Sequence, residues 1–184
     1  MAAAEPLARN FAVTPPPAHA GLLLAALLAL PAGVVVVASM QQGSGDASRV
    51  AGLGVGLLVI GVVAVLTMVG LVRRRVTLEG GQLRVQAGLF THTVGVGELD
   101  LDRARVVDLA ERTELRPVVK TWGMSLPGYH AGHFRLRDTF GKAFCLVTDR
   151  ERVLWLPRRD ANAQLLLSMQ QPRALLEALK AARS

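Results

Sequence analysis

The residues with the reach for metal or nucleophile chemistry are few. His130 and His133 stand three apart in WGMSLPGYHAGHFRLRDTFGKAFCLVTD, residues 122–149, which also carries the lone Cys145. A protein metal site takes three or four ligands with hydrogen-bonded outer support. Here no cysteine pair and no nearby carboxylate motif accompanies the two histidines, and His92 belongs to another strand at best. A thiol nucleophile needs a positioned base and an oxyanion site. One cysteine excludes an internal disulfide, which agrees with a reducing compartment, and a small buried hydrophobe is the ordinary fate of such a residue. No catalytic residue, metal ligand or cofactor is therefore expected.

Basic residues give the same stretch its second possible chemistry. His133, Arg135 and Arg137 alternate with Phe134 and Leu136 and so share one strand face, with Lys142 across the following turn and Arg158 and Arg159 ending a later strand. The plain reading of such a face is a solvated wall. The sharper one is a face for an anionic ligand or membrane surface, which Arg112, Arg116 and Lys120 would extend. Whether Phe144 or Cys145 joins Phe134 and Leu136 inside depends on a one-residue change of register and stays open. Trp122 and Trp155 are expected in the core.

What these residues are mounted on begins with two apolar runs. No charge occurs from Ala20 to Gly45 or from Val50 to Val72, mean hydropathy is +0.36, and 51% of the residues are hydrophobic. A bilayer's hydrocarbon core of about 30 Å is crossed by roughly 20 helical residues, so two transmembrane helices are expected, at 21–40 and 50–72. The first is read as a span rather than a cleaved leader, since only Arg9 precedes it and the run is long for a signal core. Pro31 within it predicts a kink. Gly21, Ala25, Ala29 and Gly33 line one helix face, and Gly52 and Gly56 (with Gly61 and Ala64) offer another. Such faces let helices pack closely, as a hairpin or with a second copy of the chain.

Arg73, Arg74 and Arg75 follow the second run directly, while the connector QQGSGDASR is nearly neutral. The bias of Lys and Arg to cytoplasmic flanks puts both termini in the cytoplasm. Residues 1–20, with Pro15–Pro17, are expected as a disordered lead.

Residues 73–184 remain for one small domain. Outside them only Arg9 and Arg49 are basic and only Glu5 and Asp46 acidic, so the tail holds 19 basic against 12 acidic residues and the whole net +7. Nucleic acid is not expected as a partner, because aromatics are 4% of the chain and no recognition motif appears; an anionic membrane face is nearer. The tail is a rhythm of short strands. RVTLEGGQLRVQAG is a hairpin turning at Gly80-Gly81, runs near 91–96 and 104–109 follow, and 110–132 is broken. HFRLR, KAFCLVTD, RVLWLP and AQLLLS complete the set. Pro172 then opens an amphipathic helix with Leu175, Leu176 and Leu179 on its apolar side. No βαβ alternation is visible, which argues against a parallel sheet.

Two spans, a basic junction, the Gly80-Gly81 hairpin, then LPGYHAGHFRL, KAFCLVTD, VLWLP, LLLS and PRALLEAL resemble the bacterial pleckstrin-homology-like (PH-like) domain proteins anchored by an N-terminal pair of helices. The resemblance covers roughly 73–182 and makes Pro127, Gly128, Gly132, Phe134 and Leu136 structural motif residues. It implies a transmembrane hairpin plus a mainly-β barrel or sandwich of about seven strands capped by a C-terminal α-helix. It further implies a non-catalytic module for a protein partner or anionic lipid headgroups; the alternative is an accessory subunit of a membrane enzyme or transporter. The first hairpin loop, Glu79–Gln82, is acidic and minimal, which argues against specific inositol-phosphate recognition.

Overall fold

The computed structural model describes residues 9–17, 21, 26, 29–31, 33, 34, 37, 47–138, 140–160 and 163–183; within 47–53, 70 and 71 only the backbone is described. The chain divides into two units, Ala18–Val72 and a second made of Met1–Pro17 with Arg73–Ser184.

In the first unit the helix α1, Ala47–Val72, is 26 residues long, about 39 Å at 1.5 Å per residue. Its described side chains are apolar apart from Thr67, with Leu58, Val65 and Met68 all more than 60% exposed and Gly56, Ile60, Ala64 and Thr67 half-buried along one face. Among the described residues no helix is long and apolar enough to cross a membrane; within α1 the described side chains cover 54–69 and 72. Of the small residues expected at helix contacts, Gly56 and Ala64 lie on that half-buried face. A Cβ on Gly21, Gly33, Gly54 or Gly61 would meet nothing within 4 Å, and Ala29 is exposed. The side chains of Ala25 and Gly52 lie outside the described residues, and Gly56 is half-buried.

The second unit is two sheets. The first, in spatial order, is β1 (Arg9–Phe11), β2 (Arg74–Glu79), β3 (Gln82–Ala87) and β4 (Phe90–Gly95). Alternation sets it up: Val76, Leu78, Leu83, Val85, Ala87 and Val94 point inward at 0–7% exposure, and Arg75, Thr77, Arg84 and Gln86 point out. The β2–β3 turn takes Gly80 at φ +55° and Gly81 at φ +72°, the paired left-handed conformation that matches strand twist in two-residue hairpins.

The second sheet holds β5 (Arg105–Val107), β6 (Pro117–Leu126), β7 (Tyr129–Leu136), β8 (Lys142–Val147), β9 (Val153–Pro157) and β10 (Ala163–Ser168), ordered β5-β9-β10-β8-β7-β6. Its central strands are buried on both faces, which is why they read as continuous apolar runs. The sheet is antiparallel apart from the β8–β10 pair, which is parallel because β9 intervenes in the chain and pairs on the other side of β10. The helix α2, Pro172–Arg183, buries Leu175, Ala178 and Leu179.

Two further expectations are corrected. The lead is not wholly disordered. Arg9–Phe11 pairs with β2, Val13 bridges Met169, and Thr14 N donates to Ser168 O at 3.1 Å. This segment closes the open edge of β2, then crosses to the second sheet. The supposedly broken stretch 110–132 contains β6 and the start of β7. Irregular pairing at Pro117–Trp122 and an exposed position at the sheet edge remove the alternation by which a strand is recognised.

Candidate binding surfaces

The two motif histidines cannot act together. A strand alternates its side chains, so residues three apart face opposite ways. His130 lies with Phe134, ring centroids 5.6 Å apart, and its Nδ1 meets Ser125 Oγ at 2.9 Å. His133 faces β4 instead, with its ring 5.7 Å from His92 and 5.0 Å from Phe144. Among the described residues no group of three His, Cys, Asp or Glu side chains converges. The register left open resolves in favour of the thiol: Cys145 is fully buried with Phe134, Leu136, Ala143 and Val147, and burial pushes its pKa up. Phe144 takes the opposite face and stacks on His92 at 4.9 Å.

Hence the face of His133 is not a solvated wall, because the first sheet covers part of it. Arg135 lies beside Lys142 in register and donates to Phe140 O at 2.9 Å. Arg137 is exposed in the turn beyond. Arg158 is paired with Glu98 at 2.6 Å and Asp160 at 3.3 Å, and Arg159 Nε donates to Leu99 O at 3.4 Å. Arg116 is spent internally, holding Leu109 O and Ala110 O at 2.6 and 2.8 Å, and Arg112 pairs with Glu114. The expected basic face is thus divided between separate places, most of its charges already engaged.

The triple arginine also divides. Alternation leaves Arg73 and Arg75 exposed and turns Arg74 inward, where Arg74 Nη1 reaches Thr14 O at 3.4 Å and desolvation lowers its pKa. Beneath it Tyr129 is fully buried, with its pKa pushed up to about 12 by desolvation.

A polar surface that sequence reasoning missed lies on the outer face of the first sheet. Asn10, Arg75, Thr77, Glu79, Arg84 and Thr93 line a shallow concavity of about 450 Å³. Thr77 pairs with Arg84 and Arg75 with Gln86, so two guanidinium groups sit diagonally among hydroxyl and amide donors, against the single carboxylate of Glu79. Such a set suits an anion with several acceptor oxygens. The signal in sequence was the outward half of RVTLEGGQLRVQ, which looks like any solvated strand face until β1 adds Asn10 beside it.

Glycines place the motif strands. Pro127-Gly128 makes the β6–β7 turn with Gly128 at φ +77°, and Gly132, at φ +113°, lies directly against Gly123. A family model described as bacterial PH domain matches residues 74–182, the greater part of the chain. The chain belongs to that family. No curated protein and no solved structure matches it. Within this PH domain, the two sheets and terminal helix are the family's region, and β1 is contributed from outside it.

The imidazoles at the β4–β7 seam predict an acid response. Desolvation lowers the pKa of His92, aided by the charges of His133 and Arg158 and opposed by Glu98; desolvation also lowers His133. Both folded pKa values fall below the unfolded value, so the stabilisation is complete above about pH 6.5 and is lost as pH drops through the folded values. The urea midpoint of the PH domain should fall between about pH 7.5 and pH 5.5, and His92→Phe should flatten that decline. An unchanged slope in the variant would rule the seam out as its source.

Proposed function

We propose that the chain is a membrane-anchored, non-catalytic PH-domain module that engages anionic phospholipid headgroups at the cytoplasmic face of a bacterial inner membrane. One observation carries the reading: the chain leaves the PH domain and returns to it at neighbouring points. Thr14 and Arg74 are in contact, and β1 runs antiparallel to β2 so that residue 14 ends beside the start of β2. A segment that departs and re-enters on one side makes an even number of crossings. Residues 21–40 and 50–72, uncharged over their whole length, supply two.

Headgroup recognition is favoured by the net positive tail and by Arg75 and Arg84 in the concavity, Arg75 being three residues from Val72, the end of α1. Attraction to an anionic leaflet is worth about 1 kcal/mol per basic residue near the surface. The acidic Glu79 and the two-residue loop still speak against a specific inositol phosphate. The test is extraction and topology of the full chain. It should resist alkaline carbonate, and a C-terminal tag should be shielded from protease added outside intact cells. In nanodiscs, amide exchange over residues 75–86 should slow with anionic lipid, not with neutral lipid, and recover in high salt. A tag cleaved from outside, or equal protection by both lipids, defeats the reading.

A protein partner is the second reading, favoured by the edge strand β6, where Val118 and Val119 are 58% and 45% exposed. An open edge with apolar side chains is a template for strand addition. It predicts a complex that survives high salt, including one in which the chain is an accessory subunit of a membrane assembly.

A further inference from the structure

We infer that the PH domain inserts Leu89 and Trp122 into the interfacial layer of an anionic phospholipid bilayer, so that the domain is seated on the membrane and not merely tethered near it. The inference rests on the anchored reading above and adds the contact surface.

Trp122 was expected in the core, yet it is 70% exposed, while Trp155 is 7% exposed with Nε1 bonded to Gln164. The physical reason is position. Trp122 lies in register with His133, which in turn lies opposite Phe144, so all three point toward β4. His92 covers the inner two, whereas β6 is the sheet edge and, among the described residues, the indole's ring contact is Phe90, which meets it edge-on at 6.4 Å. Next to Phe90, Leu89 forms the tip of the β3–β4 turn and is 55% exposed. Isolated exposed apolar side chains are ordinary. Here Leu89 adjoins Phe90 in the chain and Phe90 meets Trp122, so three apolar residues follow one another along this rim.

The rim's place in the fold names its occupant. The Leu89 turn is fastened to the chain exit, since Gly88 N donates to Arg73 O at 2.7 Å. Arg74, Ala87 and Phe90 form one row across the first sheet, and Arg74 holds Thr14. Both connections to residues 18–72 therefore leave the PH domain along the edge that carries the rim. Arg73 and Arg75 are exposed on the same edge and complement an anionic leaflet. Leucine supplies apolar depth, and tryptophan's amphipathic ring suits the headgroup level, where it is enriched.

The experiment uses the full chain in phosphatidylglycerol–phosphatidylcholine vesicles whose acyl chains are brominated near the headgroup. Heavy-atom quenching should remove most of the emission that distinguishes wild type from Trp122→Phe, with a blue shift relative to detergent. The remaining Trp155 emission should be unaffected. Leu89→Asp should reduce the quenching. If the chain resists carbonate extraction but Trp122 emits equally with and without bromine, the seating is wrong while the anchor stands. Unquenched emission that acrylamide also fails to reach would assign the rim to a protein or a second copy, and would equally overturn the inference. Extraction by carbonate would remove the anchor and this inference together.

Discussion

Gly132→Ala is expected to destabilise the PH domain by about 3 kcal/mol or more, a large share of the 5–15 kcal/mol typical of a folded domain. Two independent penalties add. Gly132 has φ +113°, a backbone conformation closed to L side chains. An added Cβ would also stand 2.5 Å from Trp122 O and 2.6 Å from Gly123 Cα, both backbone atoms of the paired strand that cannot turn aside. The opposite replacement meets the same wall, since a Cβ on Gly123 would collide with Ala131 O. The two glycines are therefore one device, a place where β6 and β7 approach too closely for any side chain. Urea unfolding of the full chain in detergent measures the loss; a Gly132→Ala midpoint within error of wild type would show that the strands can separate there at little cost. Because Trp122 and His133 adjoin the pair, the variant should also weaken the Phe90–Trp122 contact.

The second large effect belongs to Ser168. Its side chain is fully buried, its Oγ accepts from Thr148 N at 3.1 Å and Asp149 N at 3.2 Å, and it donates to Asp149 O at 2.8 Å. Ser168→Ala leaves these backbone groups without that partner where water does not readily reach. Each unsatisfied buried group costs about 1–3 kcal/mol, so a total near 3 kcal/mol is expected. The consequences extend past the turn. Thr148 Oγ1 donates to Thr14 O at 2.7 Å, and Thr14 N donates to Ser168 O at 3.1 Å, so the same corner clasps the N-terminal segment. Amide exchange at Thr148, Asp149 and Thr14 should accelerate together in the variant. Acceleration at the first two alone would mean that the N-terminal segment is held by β2 and not by this corner.

Much of the architecture follows from local pattern. The Gly80-Gly81 turn demands left-handed backbone and is written in two adjacent letters. The strands 142–147, 153–157 and 163–168 announce themselves because both of their faces are covered, and Pro172 with leucines at helical spacing announces the last helix. The pairing Glu79-Gly80-Gly81-Gln82 also makes the minimal first loop visible before any coordinate. These features depend on neighbours within a few residues, and such information is carried along the chain itself.

Other features exist only after distant segments meet. Arg9–Phe11 has no strand signature of its own; it becomes β1 because β2 offers an open edge more than sixty residues away. Arg74 reads in sequence as one of three equivalent arginines flanking the second apolar run, and pleating turns it inward toward Thr14. His133 and Arg135 alternate with core residues and so looked solvated, but in a two-sheet fold the second face of a strand is also an interior. Trp122 lost its expected burial for the converse reason, since edge strands are covered only as far as the opposing sheet extends. The sequence by itself determined the charge distribution, the apolar runs, the central strands and the terminal helix, all of which are set by composition and short-range periodicity. Which faces are covered, which edge receives the N-terminal strand, and whether two histidines three apart can meet were decided by tertiary structure alone, because burial is a relation between segments and not a property of either one.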